Sequence, residues 1–408
     1  MSLDGGAQVT VQSHIAVQSR PRQHAVVFSG NGYNAAYEVG VLKAILHGVS
    51  PSTRGEKVQP DSYSGTSVGA YNAAFMVSHS HLGDIGAAEK LEQSWKTGLN
   101  PRIRGNPVDY LNPRFYWPNP LTPLVDFGKD TLHLSRDLMR RAGELFGSIE
   151  PTRPLAALQD QILGYEWDIL ADLAPTSGLI RDNIALENIR NSNKKLCITA
   201  ADWKKGTTKT FENRDFSDAA GHQMVIGAMA IPGFIPRQHV DLEELVDGIM
   251  LMAHPLKPAI EARDRQSAVR LTLHVIYLDP EFEEGLLMDA RGSLAIVYRL
   301  FLLAFSRSMN ADIGRIEQVN RSVKFLKLLG DFDPESEVLK LWRRLHQETK
   351  DKVEVEVHRY RSAKHLTSIR EIFVGMTEER LKRLFETGYA DARQHDCARS
   401  QCVVISEE

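Results

Sequence analysis

The sequence predicts a layered α/β fold with parallel strands, because short buried strands alternate with helices along its first part. The run from His24 to Phe28 is rich in β-forming residues and ends at Ser29-Gly30, as a buried strand does. Apolar residues recur at helical spacing from Ala35 to Leu46. A second strand then leads into Ser64-Gly65, before a helix over Val68 to Val77. This order is typical of a parallel sheet covered by helices.

Further elements continue the pattern towards the end of the chain. Leu196 to Ala200 and Leu271 to Leu278 predict buried strands, and Val353 to His358 alternates as a late strand does. Asp333 followed by Pro334 is typical of an N-cap and the first helical position. Predicted helices cover 132–146, 154–164, the stretch from 222 towards Pro232, 293–328, Pro334–Lys350 and Met376–Arg393.

Composition excludes some classes of protein. The chain has 408 residues, and its 49 basic and 52 acidic residues give a formal net charge of -3, so nucleic acid is not expected as its main partner. Residues 1–22 lack the layout of a secretory signal. The longest apolar stretch, Leu294 to Phe305, is interrupted by Arg299 and is too short to span a bilayer. We expect a soluble cytoplasmic protein, or one that contacts a membrane surface from one side.

The cysteines and histidines give no prediction of a metal site. Cys197, Cys397 and Cys402 are odd in number and match no zinc spacing, so free thiols in a reducing compartment are expected, with a Cys397–Cys402 pair as the alternative. His79-Ser80-His81 could supply two metal ligands but lacks a third.

A pentapeptide with the pattern G-x-S-x-G runs from Gly65 to Gly69, with Ser67 at its centre. A serine hydroxyl acts as a nucleophile when a sharp strand-to-helix turn exposes and orients it, and glycines allow the backbone to fold that sharply. The helix that follows favours negative charge at its N-terminus. Because the pattern lies at a predicted strand-to-helix junction, it indicates that Ser67 is a catalytic nucleophile.

A glycine-rich loop follows the first strand and permits two interpretations. Gly30-x-Gly32-x-x-Ala35 fits a dinucleotide-binding fingerprint, which also requires a second strand ending in an acidic residue about 20 residues on. The turn-like stretch from Ser50 to Glu56 does not supply that strand. The loop is instead suited to an oxyanion hole, in which backbone N–H groups hold the negative oxygen of a tetrahedral intermediate. The residues predicted to form the hole are Gly30, Asn31, Gly32, Tyr33 and Asn34.

Together and in this order, these motifs resemble the patatin-like phospholipase family. The helix Ala36-Tyr37-Glu38-Val39-Gly40, the turn around Ser67 and the segment Ala230-Ile231-Pro232-Gly233 each have a counterpart in that family. Asp247-Gly248, followed by Pro255-Leu256-Lys257-Pro258, is similar to the family's Asp-Gly segment. The resemblance extends over roughly residues 24 to 280.

The resemblance implies a three-layer α/β/α fold with a mainly parallel central sheet and a Ser-Asp dyad. Ser67 would be the nucleophile and Asp247 its base, with Gly65, Gly69 and Gly248 supporting the two turns. The substrate would be a fatty acyl ester of a glycerolipid, cleaved through an acyl-enzyme without a cofactor. The resemblance makes no prediction of oligomeric state.

Three departures from the family pattern keep other functions open. Asn31 and Ala35 stand where glycine is usual, Asn34 replaces a basic residue, and Ile249 follows the Asp-Gly pair. These changes favour a non-catalytic lipid-binding protein as one alternative. A Ser-His-Asp triad esterase or thioesterase is another, because His239 and His254 lie close to Asp247 in sequence.

The predicted organisation is one large domain. Residues 1–22 are expected to be a leader or disordered segment, 23–393 the patatin-like domain and 394–408 a tail. Helical insertions are expected at about 99–190 and 282–350. Within the first, residues 99–125 interleave prolines with aromatic residues, which predicts an irregular loop that packs on itself or covers an apolar pocket.

Overall fold

The computed structural model describes most of the predicted domain. It describes residues 22–99, 173–232, 235, 237–264, 270–278, 293–332, 336–345, 353–362, 366 and 378–405. The aromatic loop at 99–125 from residue 100 onward, the helices predicted at 132–146 and 154–164, and the N-cap at Asp333 lie outside these residues.

The described residues form one mixed sheet of eight strands in the order β5-β6-β3-β2-β1-β7-β8, with β4 paired to β3. Parallel pairing joins β3, β2, β1, β7 and β8, while β4, β5 and β6 pair antiparallel at one side. The strands are β1 (Arg22–Phe28), β2 (Ser62–Thr66), β3 (Lys195–Asp202), β4 (Thr207–Glu212), β5 (Gln238–Val240), β6 (Glu243–Asp247), β7 (Arg270–Ile276) and β8 (Glu354–Tyr360).

Ten α-helices are described around this sheet. They are α1 (Ala36–Leu46), α2 (Val68–Ser78), α3 (Gly83–Ser94), α4 (Leu173–Asn183), α5 (Leu186–Asn191), α6 (Gly221–Ala228), α7 (Leu256–Glu261), α8 (Ser293–Phe332), α9 (Glu337–Leu345) and α10 (Glu378–Arg393). A short 3-10 helix, Gly32–Ala35, precedes α1 directly.

Alternation along β1 shows how the layers are held together. Val26 and Phe28 join a core that contains residues of α1, α2 and α10. Ala25 and Val27 point to the other face, where they pack with residues of α7 and α8. Since successive side chains of a strand face opposite sides, one strand contributes to two cores, and the predicted three-layer α/β/α fold is confirmed.

The elements predicted from the sequence agree with the described ones to within a few residues at each end. The main difference lies before α1, where Gly32–Ala35 forms a 3-10 turn and the α-helix begins one residue later than predicted. At the other end of the chain, the predicted tail packs against the sheet, because Val403 and Val357 exchange two backbone hydrogen bonds of 2.9 Å. Within the described residues, no helix is both long and apolar enough to cross a membrane.

Candidate active site

Ser67 lies at the sharp turn between β2 and α2. Its φ of 52° falls in the left-handed region, which a residue other than glycine adopts only under strain. Its carbonyl accepts a hydrogen bond of 2.9 Å from the N–H of Ala70, which begins the helix. The backbone therefore has the conformation of a nucleophile elbow at the serine that the sequence predicts.

Close backbone packing on both sides explains the two glycines of the motif. A Cβ on Gly65 would lie 2.1 Å from the carbonyl oxygen of Gly69, and a Cβ on Gly69 would lie 2.4 Å from that of Ser29. Neither position can hold a side chain unless the backbone shifts. The two glycines thus allow the elbow to close against the end of β1.

Strand register brings Asp247 to the same turn. β2 pairs with β3 up to Thr66 opposite Thr199, and β6 pairs with β3 from Asp247 opposite Ala200. Since β4 occupies the other edge of β3, β6 lies on the same edge of β3 as β2, just beyond the end of β2. A Cβ on Gly248 would lie 2.4 Å from the carbonyl oxygen of Thr199, so this glycine permits the close approach.

The hydroxyl of Ser67 donates a hydrogen bond of 2.6 Å to Oδ2 of Asp247. The other carboxylate oxygen accepts a 2.9 Å bond from the N–H of Ile249. Burial raises the pKa of Asp247 from 3.8 to about 7, although both hydrogen bonds act to lower it. A carboxylate with a pKa near neutrality is well matched to accept a proton and later return it.

The glycine-rich loop begins directly beside the serine. A Cβ on Gly30 would lie 2.4 Å from Cβ and 3.2 Å from Oγ of Ser67, so only glycine fits there. Gly32 has a φ of +53°, and the N–H of Asn34 donates a 3.2 Å hydrogen bond to the carbonyl oxygen of Asn31. The ring of Tyr33 packs edge-on against Trp95. The loop therefore forms a tight turn whose first residue touches Ser67.

Glu38 lies beneath this loop, and sequence reasoning did not assign it a role. Its carboxylate is fully buried and accepts hydrogen bonds of 2.6 Å from the N–H of Ser29 and 2.8 Å from Nδ2 of Asn72. Asn72 also donates to the carbonyl oxygen of Ala35 and accepts from Nε1 of Trp95. This network joins the end of β1 to α1 and α2. The one acidic residue of a mostly apolar helix is the signal that could have pointed to it.

Neither histidine near Asp247 in sequence reaches the pair in the described structure. His254 is buried against Tyr277, with ring centroids 4.6 Å apart, and burial together with Arg359 lowers its pKa to about 3. His239 is exposed on β5. Among the described residues, the hydrogen bonds to the Asp247 carboxylate come from Ser67 and Ile249. Ser67 and Asp247 are therefore joined by a direct hydrogen bond, without a histidine of the described residues between them.

Two other interpretations of the sequence were a metal pair at His79-Ser80-His81 and a dinucleotide site at the glycine-rich loop. Nδ1 of His79 lies 3.0 Å from the carbonyl oxygen of Phe75, and its ring stacks on that side chain, so His79 packs against the last turn of α2. The second strand, β2, ends at Thr66 rather than in the carboxylate that a dinucleotide site requires.

The pair is more shielded than the sequence suggested. The motif predicts an exposed hydroxyl, but Ser67 is only 1% exposed and Asp247 is fully buried. Burial is what raises the pKa of Asp247, so shielding and basicity have the same cause.

Together the fold and the site define a class: three-layer α/β/α proteins with a serine at a strand-to-helix turn and an aspartate within hydrogen-bonding reach. The family model of patatin-like phospholipases matches residues 26–260, and the chain belongs to this family. Patatin-like phospholipases act on the ester bonds of lipids.

Among solved structures, the chain is similar to VipD from Legionella pneumophila, with 17% sequence identity and a TM-score of 0.34. The match covers 91% of this chain and 66% of VipD, so the chain spans just under two thirds of that protein. No curated protein matches the chain.

Proposed function

We propose that the protein is a serine lipid acyl hydrolase that cleaves fatty acyl esters with Ser67 and Asp247. The observation that supports this most strongly is the 2.6 Å hydrogen bond from the Ser67 hydroxyl to a carboxylate whose pKa is about 7. Membership of the patatin-like phospholipase family supports a lipid ester as the substrate.

In the proposed reaction, Oγ of Ser67 attacks the ester carbonyl carbon while its proton passes to Oδ2 of Asp247. Backbone N–H groups of the loop from Gly30 to Tyr33 stabilise the oxyanion, while the N–H of Asn34 closes the turn by donating to Asn31. Collapse breaks the ester bond, and the leaving alkoxide takes the proton from Asp247. Water then attacks the acyl-enzyme, gives a proton to Asp247, and releases the fatty acid as Ser67 recovers its hydrogen. No cofactor takes part.

Contact with a lipid surface is part of the proposal. Met250 and Leu251 lie at the end of the 3-10 turn that Asp247 caps, and each is 43% exposed. Apolar side chains beside a shielded catalytic pair are suited to the edge of a membrane or micelle. Since Ser67 is almost fully shielded, side chains above it must move before an acyl chain can enter. We therefore propose a cytoplasmic enzyme that acts while bound to a membrane surface.

The test measures hydrolysis of esters and phospholipids with a range of acyl-chain lengths. We expect Ser67→Ala and Asp247→Asn each to lower the rate at least about a thousandfold. Ser80→Ala and Asp218→Asn are matched controls, because these residues lie in a hydroxyl pair and a surface ion pair away from the site. Hydrolysis that survives Ser67→Ala would refute the mechanism. Activity lost on replacing one histidine would favour the triad.

A non-catalytic lipid-binding protein is the second candidate, and the 1% exposure of Ser67 favours it. A fluorophosphonate probe distinguishes the two functions. A hydrolase should be labelled at Ser67, and faster when phospholipid micelles are present. Lipid binding without labelling that depends on Ser67 would support the second candidate.

A further inference from the structure

Four side chains of metal-ligand type converge at the edge of the sheet formed by β8. They are His358 on β8, His395 just after α10, and Cys397 and Cys402 in the segment that follows. The ligand atoms of these residues all lie within 4.8 Å of one another. Among the described residues this is the one such cluster, and no part of it belongs to the candidate active site.

The spacing of these atoms fits a tetrahedral ion. Sγ of Cys397 lies 3.5 Å from Nδ1 of His358 and 3.5 Å from Nε2 of His395, and Sγ of Cys402 lies 3.3 Å from the same Nε2. With Zn–S bonds of about 2.3 Å and Zn–N bonds of about 2.0 Å, a tetrahedron separates its sulfur and nitrogen ligands by about 3.5 Å. A cation at the centre would satisfy these distances with little movement.

Backbone contacts hold the two thiols in position. The N–H of Cys402 donates a 2.9 Å hydrogen bond to the carbonyl oxygen of Cys397, which closes a turn. Asp396 supports this turn by accepting a 2.8 Å bond from the N–H of Ala398. Next to Cys402, Val403 pairs with Val357 of β8, the neighbour of His358.

The surroundings of the cluster match those of metal-bound histidines and thiolates. Nε2 of His358 lies 3.4 Å from Oε1 of the buried Glu356, which leaves Nδ1 directed at the thiols. The N–H of Arg359 donates a 3.2 Å hydrogen bond to Sγ of Cys402. Carboxylates behind histidines orient the ring and fix its tautomer in many metal sites.

We propose that His358, His395, Cys397 and Cys402 bind one Zn²⁺ ion as a closed, structural site. Two thiolates and two imidazoles are a ligand set typical of structural zinc, and four protein ligands leave no position for a substrate. The ion would join the chain after α10 to β8. A disulfide between the two cysteines and a pair of free thiols are the alternatives that the test distinguishes.

The position of the site indicates what the ion would stabilise. α10 packs closely on α1, since a Cβ on Gly40 would lie 2.1 Å from the carbonyl oxygen of Phe385 and one on Gly388 would lie 2.2 Å from that of Tyr37. The ion would anchor the segment that follows α10, and thereby the packing of α10 on α1.

The first test measures metal content and ligand type in the full-length protein. Elemental analysis after purification without chelators should find one zinc per chain. Cobalt exchanged into the site should give the intense visible absorption of tetrahedral Co²⁺ together with thiolate-to-cobalt charge-transfer bands. A chain that takes up neither ion, or takes up cobalt without the thiolate bands, would overturn the proposal. Mass spectrometry that shows a Cys397–Cys402 disulfide in anaerobically purified protein would do so too.

Variants locate the site, and a wild-type measurement covers the case in which they fail to fold. Cys402→Ser and His395→Ala should lose the bound metal, while Cys197→Ala, which removes the thiol outside the cluster, should retain it. In wild type, a mercurial that reacts with thiols should release one zinc per chain to a colorimetric indicator. Retention of zinc by Cys402→Ser, or no release from the wild type, would contradict the assignment. Neither measurement depends on hydrolase activity.

Discussion

The candidate active site and the His/Cys cluster (His358, His395, Cys397 and Cys402) hold their polar groups in different ways. At Ser67 and Asp247, backbone packed against glycine and strand register fix the position of each side chain. In the cluster, side chains from β8 and from the segment after α10 converge, and contacts of 3.3–3.5 Å between ring nitrogens and sulfurs join them. The comparison indicates that backbone packing sets the first arrangement, whereas the second depends on side chains that the proposed ion would hold together.

The largest expected effect tests the burial of Asp247. Its pKa is raised from 3.8 to about 7, a difference worth roughly 4 kcal/mol. A raised carboxyl pKa contributes stability that is present below pH 4 and lost as the pH rises through about 7. At pH 8, urea denaturation should therefore give Asp247→Asn a free energy of unfolding higher than that of wild type by up to about 4 kcal/mol. Near pH 4, the two free energies of unfolding should be equal. Equal stability at pH 8 would mean that the carboxylate is hydrated.

The same pKa predicts the pH dependence of activity. Asp247 must be ionised to accept the proton of Ser67, so kcat/KM should rise with an apparent pKa of about 7 and level off above it. A pH-rate profile measured with a neutral ester tests this. A profile that is flat between pH 5 and 8 would exclude Asp247 as the base.

Gly30→Ala tests whether backbone packing controls the active site. The added Cβ would lie 2.4 Å from that of Ser67 and would displace it, so we expect kcat/KM to fall about a hundredfold. Gly178→Ala is the control, because a Cβ there meets nothing within 4 Å. Both variants should retain the proposed zinc ion. Full activity in Gly30→Ala would show that the loop does not touch the serine in solution.

Zinc should have a large effect on the free energy of unfolding and a small effect on activity. At a free zinc concentration 100-fold above its Kd, binding should raise the free energy of unfolding by about 3 kcal/mol. Removal of zinc with a chelator should lower the unfolding midpoint and change kcat by less than about twofold, because the closed site takes no part in chemistry. A loss of activity as large as the loss of stability would show that the two regions are coupled.

The smallest expected effect is that of replacing Glu38, whose buried carboxylate is held by hydrogen bonds beneath the glycine-rich loop. Both carboxylate oxygens accept hydrogen bonds, so Glu38→Gln leaves one donor without an acceptor and should cost about 1–3 kcal/mol of stability. We expect kcat to fall more than KM changes, because Ser29 and the loop after it would shift. Glu89→Gln, at an exposed position of α3, is the control. If kcat and stability are unchanged in Glu38→Gln, Glu38 does not support the loop.

Sequence reasoning identified Ser67 because the elbow is local: five consecutive residues determine its turn. It reached Asp247 through a family resemblance, since 180 residues separate the two and no spacing rule links them. Glu38 lies in the predicted first helix but was given no role, because its partners Ser29 and Asn72 meet it only when two helices and a strand pack. The burial of Ser67 could not be predicted from the motif either, because the motif determines the turn and not the residues that cover it.

The sequence by itself determined the alternation of strands and helices, the sharp turn at Ser67 and the glycines that permit it, because these depend on neighbours within a few residues. Only the tertiary structure decided the pKa of Asp247 and the convergence of His358 with His395 and the two cysteines. The physical reason is that dielectric surroundings and ligand geometry are properties of three-dimensional packing. Residues far apart in the chain establish them when they meet.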